Sequence, residues 1–177
     1  MLTPNQLQNE HRPWSRANFG VVPPHQPLLG IIEELGDELE RALQDWNVAE
    51  IKDALADTVV FTADYCNQRG WDLEVIFPSE DGYRICPAED IRRAIERARR
   101  RASKVAHHQL KTEQGIRGTT EEHAVKAQAE LGSMLIDLES VARHFGWTLM
   151  EVTESVWARV KLRDFRKNAV TGGEGSK

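Results

Sequence analysis

Cap signatures divide most of this chain into helices and leave little room for a sheet. Asn47-Val-Ala-Glu50, Thr119-Thr-Glu-Glu122 and Thr148-Leu-Met-Glu151 each place a capping side chain three residues before a Glu that can reach back to it. Each opens a run with apolar residues at helical spacing. After Asn47 the stripe is Ile51, Leu55, Val59 and Ala63, and Gly70 stands where a helix stops. After Thr119 the helix is expected to reach about His144, with Gly146 ending it; after Thr148 a last helix is expected to reach about Asn168. Upstream, Leu28, Leu29, Ile32, Leu35, Leu39 and Leu43 predict a helix that begins after the Pro-rich turn at Pro23, Pro24 and Pro27. The first 27 residues read as an irregular or partly helical arm. A short helix is expected near 72–77, a long one over about 88–111, and a short strand only near 83–86. The fold class is therefore all-α, a helical bundle.

With 177 residues the chain forms one domain. No apolar run approaches the roughly 18–20 residues of a membrane span, and the first residues lack a signal-peptide layout. Cys66 and Cys86 are too few for a disulfide framework and are expected to be reduced thiols, in a cytoplasmic setting. Residues 78–87 read as a linker and 169–177 as a disordered tail. The formal charge of −5 conceals an asymmetry. Residues 1–86 carry 15 acids and 6 bases, whereas 87–177 carry 13 acids and 17 bases.

The same division reappears as an internal similarity between residues 20–77 and 88–168. Laying 53–76 on 129–153 pairs Gly70-Trp71 with Gly146-Trp147, Leu55 with Leu131, and Asp57 with Ser133. Further upstream Leu43 pairs with Leu110, which puts Arg100, Arg101 and Lys104 opposite Glu33, Glu34 and Asp37. An αα-hairpin exposes one apolar face, so two copies together make a four-helix core.

The acidic copy holds the chemistry-bearing pattern. Glu33-Glu34-Leu-Gly-Asp37 places carboxylates at i,i+3 and i,i+4, and Asp53 and Asp57 repeat the i,i+4 pair one helix later. Such a pattern is either a solvated acidic face or, if the two helices pack antiparallel, a cation site. Hard oxygen donors of this kind suit Mg²⁺ or Mn²⁺.

Seven short stretches carry a family resemblance. Asn18-Phe19-Gly20, Pro27-Leu-Leu-Gly30 and Glu33-Glu34-Leu-Gly-Asp37 resemble the opening of MazG-like all-α nucleotide pyrophosphohydrolases. Asp53-Ala-Leu-Ala-Asp57 and Ala63-Asp64-Tyr65-Cys66-Asn67 are similar to that family's second metal helix. Gln114-Gly-Ile-Arg117-Gly118 and Trp157 through Asp164 are similar to its loop and C-terminal helix. The resemblance implies Mg²⁺-dependent hydrolysis of a nucleoside triphosphate to the monophosphate and pyrophosphate. It implies Glu34, Asp37 and Asp57 as metal ligands, with Glu33 as the supporting acid. Two positions depart from the family pattern: Asp37 is shorter than the expected Glu, and Ala54 stands where a second Glu is expected, leaving Asp53 as substitute. The second copy lacks the acids altogether, so the implied architecture is a fused pseudo-dimer with one metal site, either monomeric or paired again as a homodimer.

On that reading Glu33 or Glu38 accepts a proton from the attacking water. Arg117, Lys161 and Arg163 are the candidates for holding phosphates, and Trp14, Asn18 and Phe19 for covering the base. The basic run Arg92, Arg93, Arg97, Arg99, Arg100, Arg101 and Lys104 has three readings. It is a solvated face with Ile91, Ile95, Ala98, Ala102 and Val105 inward, a set of counter-charges to the first copy's acids, or a nucleic-acid footprint. The acidic first half opposes the last, and no membrane partner is expected. The second would make the protein a catalytically inactive nucleotide binder or scaffold, with Arg and Lys in place of the metal.

Overall fold

A computed structural model describes residues 1–77 and 91–168. The expected linker, the strand near 83–86, Cys86 and the tail 169–177 lie outside those residues. The described chain is an all-α bundle: α1 (Pro4–Phe19), α2 (His25–Glu33), a π-helical turn (Glu34–Glu38), α3 (Leu39–Gln44), α4 (Val48–Arg69), α5 (Leu73–Ile76), α6 (Ile91–Gln114), α7 (Thr120–His144), α8 (Leu149–Val160) and α9 (Phe165–Asn168). Among the described residues no helix is long and apolar enough to cross a membrane.

The expected caps form. Asn47 accepts from the backbone amides of Ala49 and Glu50, and Thr119 and Thr148 close reciprocal boxes with Glu122 and Glu151. Gly70 adopts φ 68° and Gly146 φ 79°, a region where a side chain would be strained. After each of them the chain does the same thing. The Trp71 amide returns to the Cys66 carbonyl and the Trp147 amide to the Ala142 carbonyl. Asp72 or Thr148 then caps the next helix, and a fully buried Leu73 or Leu149 follows.

Helix α4 lies at the centre, packed by α1, α2, the π turn, α3 and α8, while α6 and α7 form a long hairpin that leans on α2 and the π turn through α6. Ile51, Leu55, Val59 and Ala63 are fully buried, as their spacing predicts. On α2 the expected stripe is corrected. Leu28, Ile31, Leu35 and Leu39 face inward, while Leu29 and Ile32 are exposed, because the helix carries two adjacent apolar rows and only one meets α4. Cys66 is buried, and burial together with Asp72 pushes its thiol up to about 12, so it remains an unreactive thiol.

Three further features sharpen or depart from the sequence reading. Of the two readings of the N-terminal arm the partly helical one holds: α1 is opened by a reciprocal cap between Thr3 and Gln6, with Leu7 in the core. The last helix breaks between α8 and α9. Asn18 Oδ1 accepts from the Phe165 amide at 2.8 Å, and Trp14 Nε1 donates to the Arg163 carbonyl at 3.3 Å, so α1 captures backbone groups that a continued helix would have used itself. Finally, the helix through the acidic motif is interrupted by the π turn, where the Leu39 amide reaches back to the Glu34 carbonyl.

Arg99 on α6 braces that turn. It donates to the Leu35 carbonyl at 2.5 Å and the Gly36 carbonyl at 3.0 Å and pairs with Glu40 at 2.5 Å. Arg99→Ala removes a charged donor from all three. We expect a loss of about 1–2 kcal/mol in denaturant unfolding, with amide exchange accelerated first at residues 34–40. An unchanged exchange pattern there would show that the turn holds its shape without α6.

Candidate functional site

The π turn decides which carboxylates face α4. A turn closed by an i→i+5 bond contains about one residue more than an α turn, so the residue that stacks over Glu34 is Glu38. Asp37 is exposed, while Glu34 and Glu38 are half-buried. The expected ligand at position 37 therefore points away from the cluster, and Glu38, expected as a proton acceptor, takes the inward place. Glu33 is exposed on the cluster's outer edge.

Burial, reinforced by the charges of Asp57, Glu38, Glu33 and Asp53, pushes the Glu34 carboxyl up to about 8. Burial and Asp53 push Asp57 up to about 6, against the pull of Arg163 and Arg159. Both groups resist the ionised state for the same two reasons: little water around them and like charge beside them. Asp53 is partly answered by Arg159 at 2.7 Å and Glu38 by Arg41. On α6, Arg99 reaches the first copy's Glu40, and its neighbours pair elsewhere. Arg100 pairs with Glu96, Arg101 with Asp137 and Glu130, Lys104 with Glu130, and Arg97 with Asp137. These residues tie α6 to α7 and to itself, so of the three readings of the basic run the counter-charge one holds at Arg99 and Glu40 and not for Arg100, Arg101 and Lys104 against Glu33, Glu34 and Asp37.

Beside the carboxylates lies a cavity of about 410 Å³. Glu34, Asp57 and Asp64 form its acidic side, Trp14, Phe19, Phe61 and Phe165 its aromatic side, and Arg163 stands at its margin. Gly30 lets α2 approach the Phe61 ring so closely that a Cβ there would lie 2.6 Å from it. Phe61 is thereby held against the wall. Trp14 meets Phe19, Phe165 and Trp157 edge-on, with ring centroids 5.8, 6.0 and 5.3 Å apart.

Of the expected substrate residues, Trp14, Phe19 and Arg163 line this cavity. Asn18 has another task, anchoring α9 through Phe165 and bonding back to the Trp14 carbonyl. Lys161 is occupied by Glu10 at 2.9 Å. Arg117 sits with φ 62° in the loop between α6 and α7, exposed and outside the residues that line the cavity. Sequence reasoning missed His11, Gln26, Phe61, Asp64 and Phe165 as lining residues. For Asp64 a signal existed: it lies seven residues, two helical turns, beyond Asp57, with no other charged residue between them.

Among the described residues no group of three or more Asp, Glu, His or Cys side chains is already drawn around one point as metal ligands. The donor set nevertheless fits a hard divalent cation in its chemistry. Two carboxyls are driven toward protonation by burial and by their neighbours, and a cation relieves both. No protein-family model matches the chain, and no curated protein or solved structure matches it.

Proposed function

We propose that this protein is a divalent-cation-dependent nucleoside triphosphate pyrophosphohydrolase of MazG-like all-α type, built as a fused pseudo-dimer with a single acidic site in its first half. The observation that carries this reading is one cavity that joins a carboxylate wall, Glu34 and Asp57, to an aromatic wall, Trp14, Phe19, Phe61 and Phe165, with Arg163 at its margin. A triphosphate needs cationic help and a base needs a flat apolar surface, and few ligands need both.

Glu34, Asp57, Glu38 and Asp53 are the residues that would hold Mg²⁺ or Mn²⁺. Such an ion lowers the pKa of water and neutralises charge on phosphate oxygens. Arg163, exposed at the cavity edge, supplies a second positive charge for the phosphates. Glu33, outermost of the cluster and clear of its interior, accepts the proton released when water attacks. Phe19 and Trp14 flank the base and keep bulk water from that end.

The rival reading, an inactive binder whose basic residues replace the metal, rests on Arg159 and Asp53 rather than on α6. The test measures pyrophosphate release from a panel of ribo- and deoxyribonucleoside triphosphates, with and without Mg²⁺. Turnover is expected only with the cation and is expected to fall at least ~100-fold in Asp57→Asn. Absence of metal-dependent turnover on every nucleotide would overturn the enzyme reading, and tight binding without the cation would favour the rival.

A further inference from the structure

The deep end of the cavity holds a buried polar pair that the phosphate chemistry does not use. His11 is 3% exposed and Asp64 8%. The Nδ1 atom of His11 is fully buried, has no hydrogen-bond partner, and lies 3.9 Å from Asp64 Oδ1. Both residues line the cavity. With Nδ1 shut away beside Asp64, Nε2 is the ring nitrogen left to the cavity. Asp64 accepts from Gln68 Nε2 at 3.0 Å and only distantly from Ser15 Oγ, at 3.4 and 3.5 Å. Among the described residues no Lys or Arg pairs with it. A nearly buried carboxylate so thinly supplied with donors leaves acceptor capacity unused.

We propose that Asp64 and His11 read the edge of the nucleobase and select bases that carry an exocyclic amino group, such as cytosine and adenine, over the matching oxo bases. This rests on the nucleotide reading of the cavity and adds its substrate class. A neutral ring protonated at Nδ1, the nitrogen on the Asp64 side, presents a lone pair at its other nitrogen, so carboxylate and ring offer two acceptors, one for each hydrogen of an exocyclic amino group. Burial lowers the His11 pKa, with Asp64 opposing, and a neutral ring retains that lone pair. An amino group satisfies the carboxylate. A carbonyl oxygen in its place sets two acceptors against each other in a poorly solvated pocket. The rings of Trp14 and Trp157, each 5.5 Å from His11, fix the imidazole so that it cannot turn aside.

The experiment is equilibrium binding to the full chain, read by tryptophan fluorescence in Ca²⁺. The probes are dCTP against dUTP and dATP against dITP, pairs that exchange an amino group for an oxo group. We expect each amino nucleotide to bind at least about tenfold more tightly than its oxo counterpart. In Asp64→Asn, whose amide offers a donor as well as an acceptor, that ratio is expected to fall toward one. The ratio in the unaltered protein needs no variant, so a poorly folded Asp64→Asn would not shelter the proposal. Equal affinities within both pairs would overturn base selection alone and leave the hydrolase reading intact. A folded Asp64→Asn that kept the full ratio would overturn the role of Asp64. Failure of all four triphosphates to bind would overturn both readings.

Discussion

In buffer stripped of divalent ions at pH 8, Glu34→Gln is expected to melt at a higher temperature than the unaltered protein. Most substitutions of a half-buried charged residue destabilise, so the sign of this result is diagnostic. The Glu34 carboxyl is displaced from 4.5 to about 8 and Asp57 from 3.8 to about 6. An acid whose pKa is raised on folding holds its stabilising contribution below the unfolded value. It loses that contribution as pH rises through the folded value. The metal-free protein is therefore expected to weaken steadily between about pH 4.5 and 8. Below that window the trend reverses. Glu10, whose carboxyl is lowered by hydrogen bonds from Lys161 and Trp157, and Glu113, lowered by Gln109, begin to take up protons there.

Because Glu34 retains some contact with solvent, the full displacement overstates its energetic weight. After discounting for screening, we expect about 2 kcal/mol from Glu34 at pH 8, or roughly 4–8 °C in Tm for a domain of this size. Adding Mg²⁺ reverses the ranking. The unaltered protein gains stability by mass action as the ion binds, whereas Glu34→Gln, lacking a charged donor, gains much less. Melting curves of both proteins from pH 5 to 8.5, with and without the ion, decide the matter. A metal-free Glu34→Gln that melts lower at pH 8 would mean that the carboxylates are a solvated face after all.

The pattern of what could be read from sequence follows the range of the interactions concerned. Asn47, Thr119, Thr148, Gly70 and Gly146 were legible because a cap or a stop is completed within a few residues of itself. The α4 stripe was legible because one period extends over several turns. Helix α1 was obscured by Pro13 in its middle and by its polar composition, although Thr3 and Gln6 spelled its cap. The π turn was not legible, because part of what holds it is Arg99, some sixty residues distant. Nor was the break after α8, which depends on Asn18 and Trp14 at the other end of the chain. These two long-range effects have the largest consequences for the site. One exchanges Asp37 for Glu38 beside Glu34, and the other brings Arg163 and Phe165 to the cavity. Asp53 and Asp57 share α4 at i,i+4, an arrangement that needs only local periodicity. Which acids of the preceding helix face them needed the tertiary fold.

Trp157→Ala is expected to cause the largest loss of stability of any substitution considered. The side chain is 1% exposed, and its ring backs both His11 and Trp14. Its Nε1 donates to Glu10 Oε2 at 2.9 Å, the same oxygen that Lys161 approaches at 2.9 Å. Truncation empties a large space among α1, α4 and α8 and deprives a carboxylate of one donor. The cost is expected to be about 3–5 kcal/mol in denaturant unfolding. Trp157→Phe keeps most of the packing and removes only the N–H, so it should lose about 1 kcal/mol. The contrast separates two roles for this residue. If the ring mainly fills space, Trp157→Phe retains nucleotide binding near the unaltered level, and Trp157→Ala loses it because His11 and Trp14 are free to collapse into the vacated volume. If the N–H to Glu10 is what aligns α1 against α8, Trp157→Phe weakens binding nearly as much as Trp157→Ala while staying far more stable. The geometry favours the first outcome, because Lys161 still holds Glu10 after the N–H is gone. Equal stability losses in the two variants would contradict it.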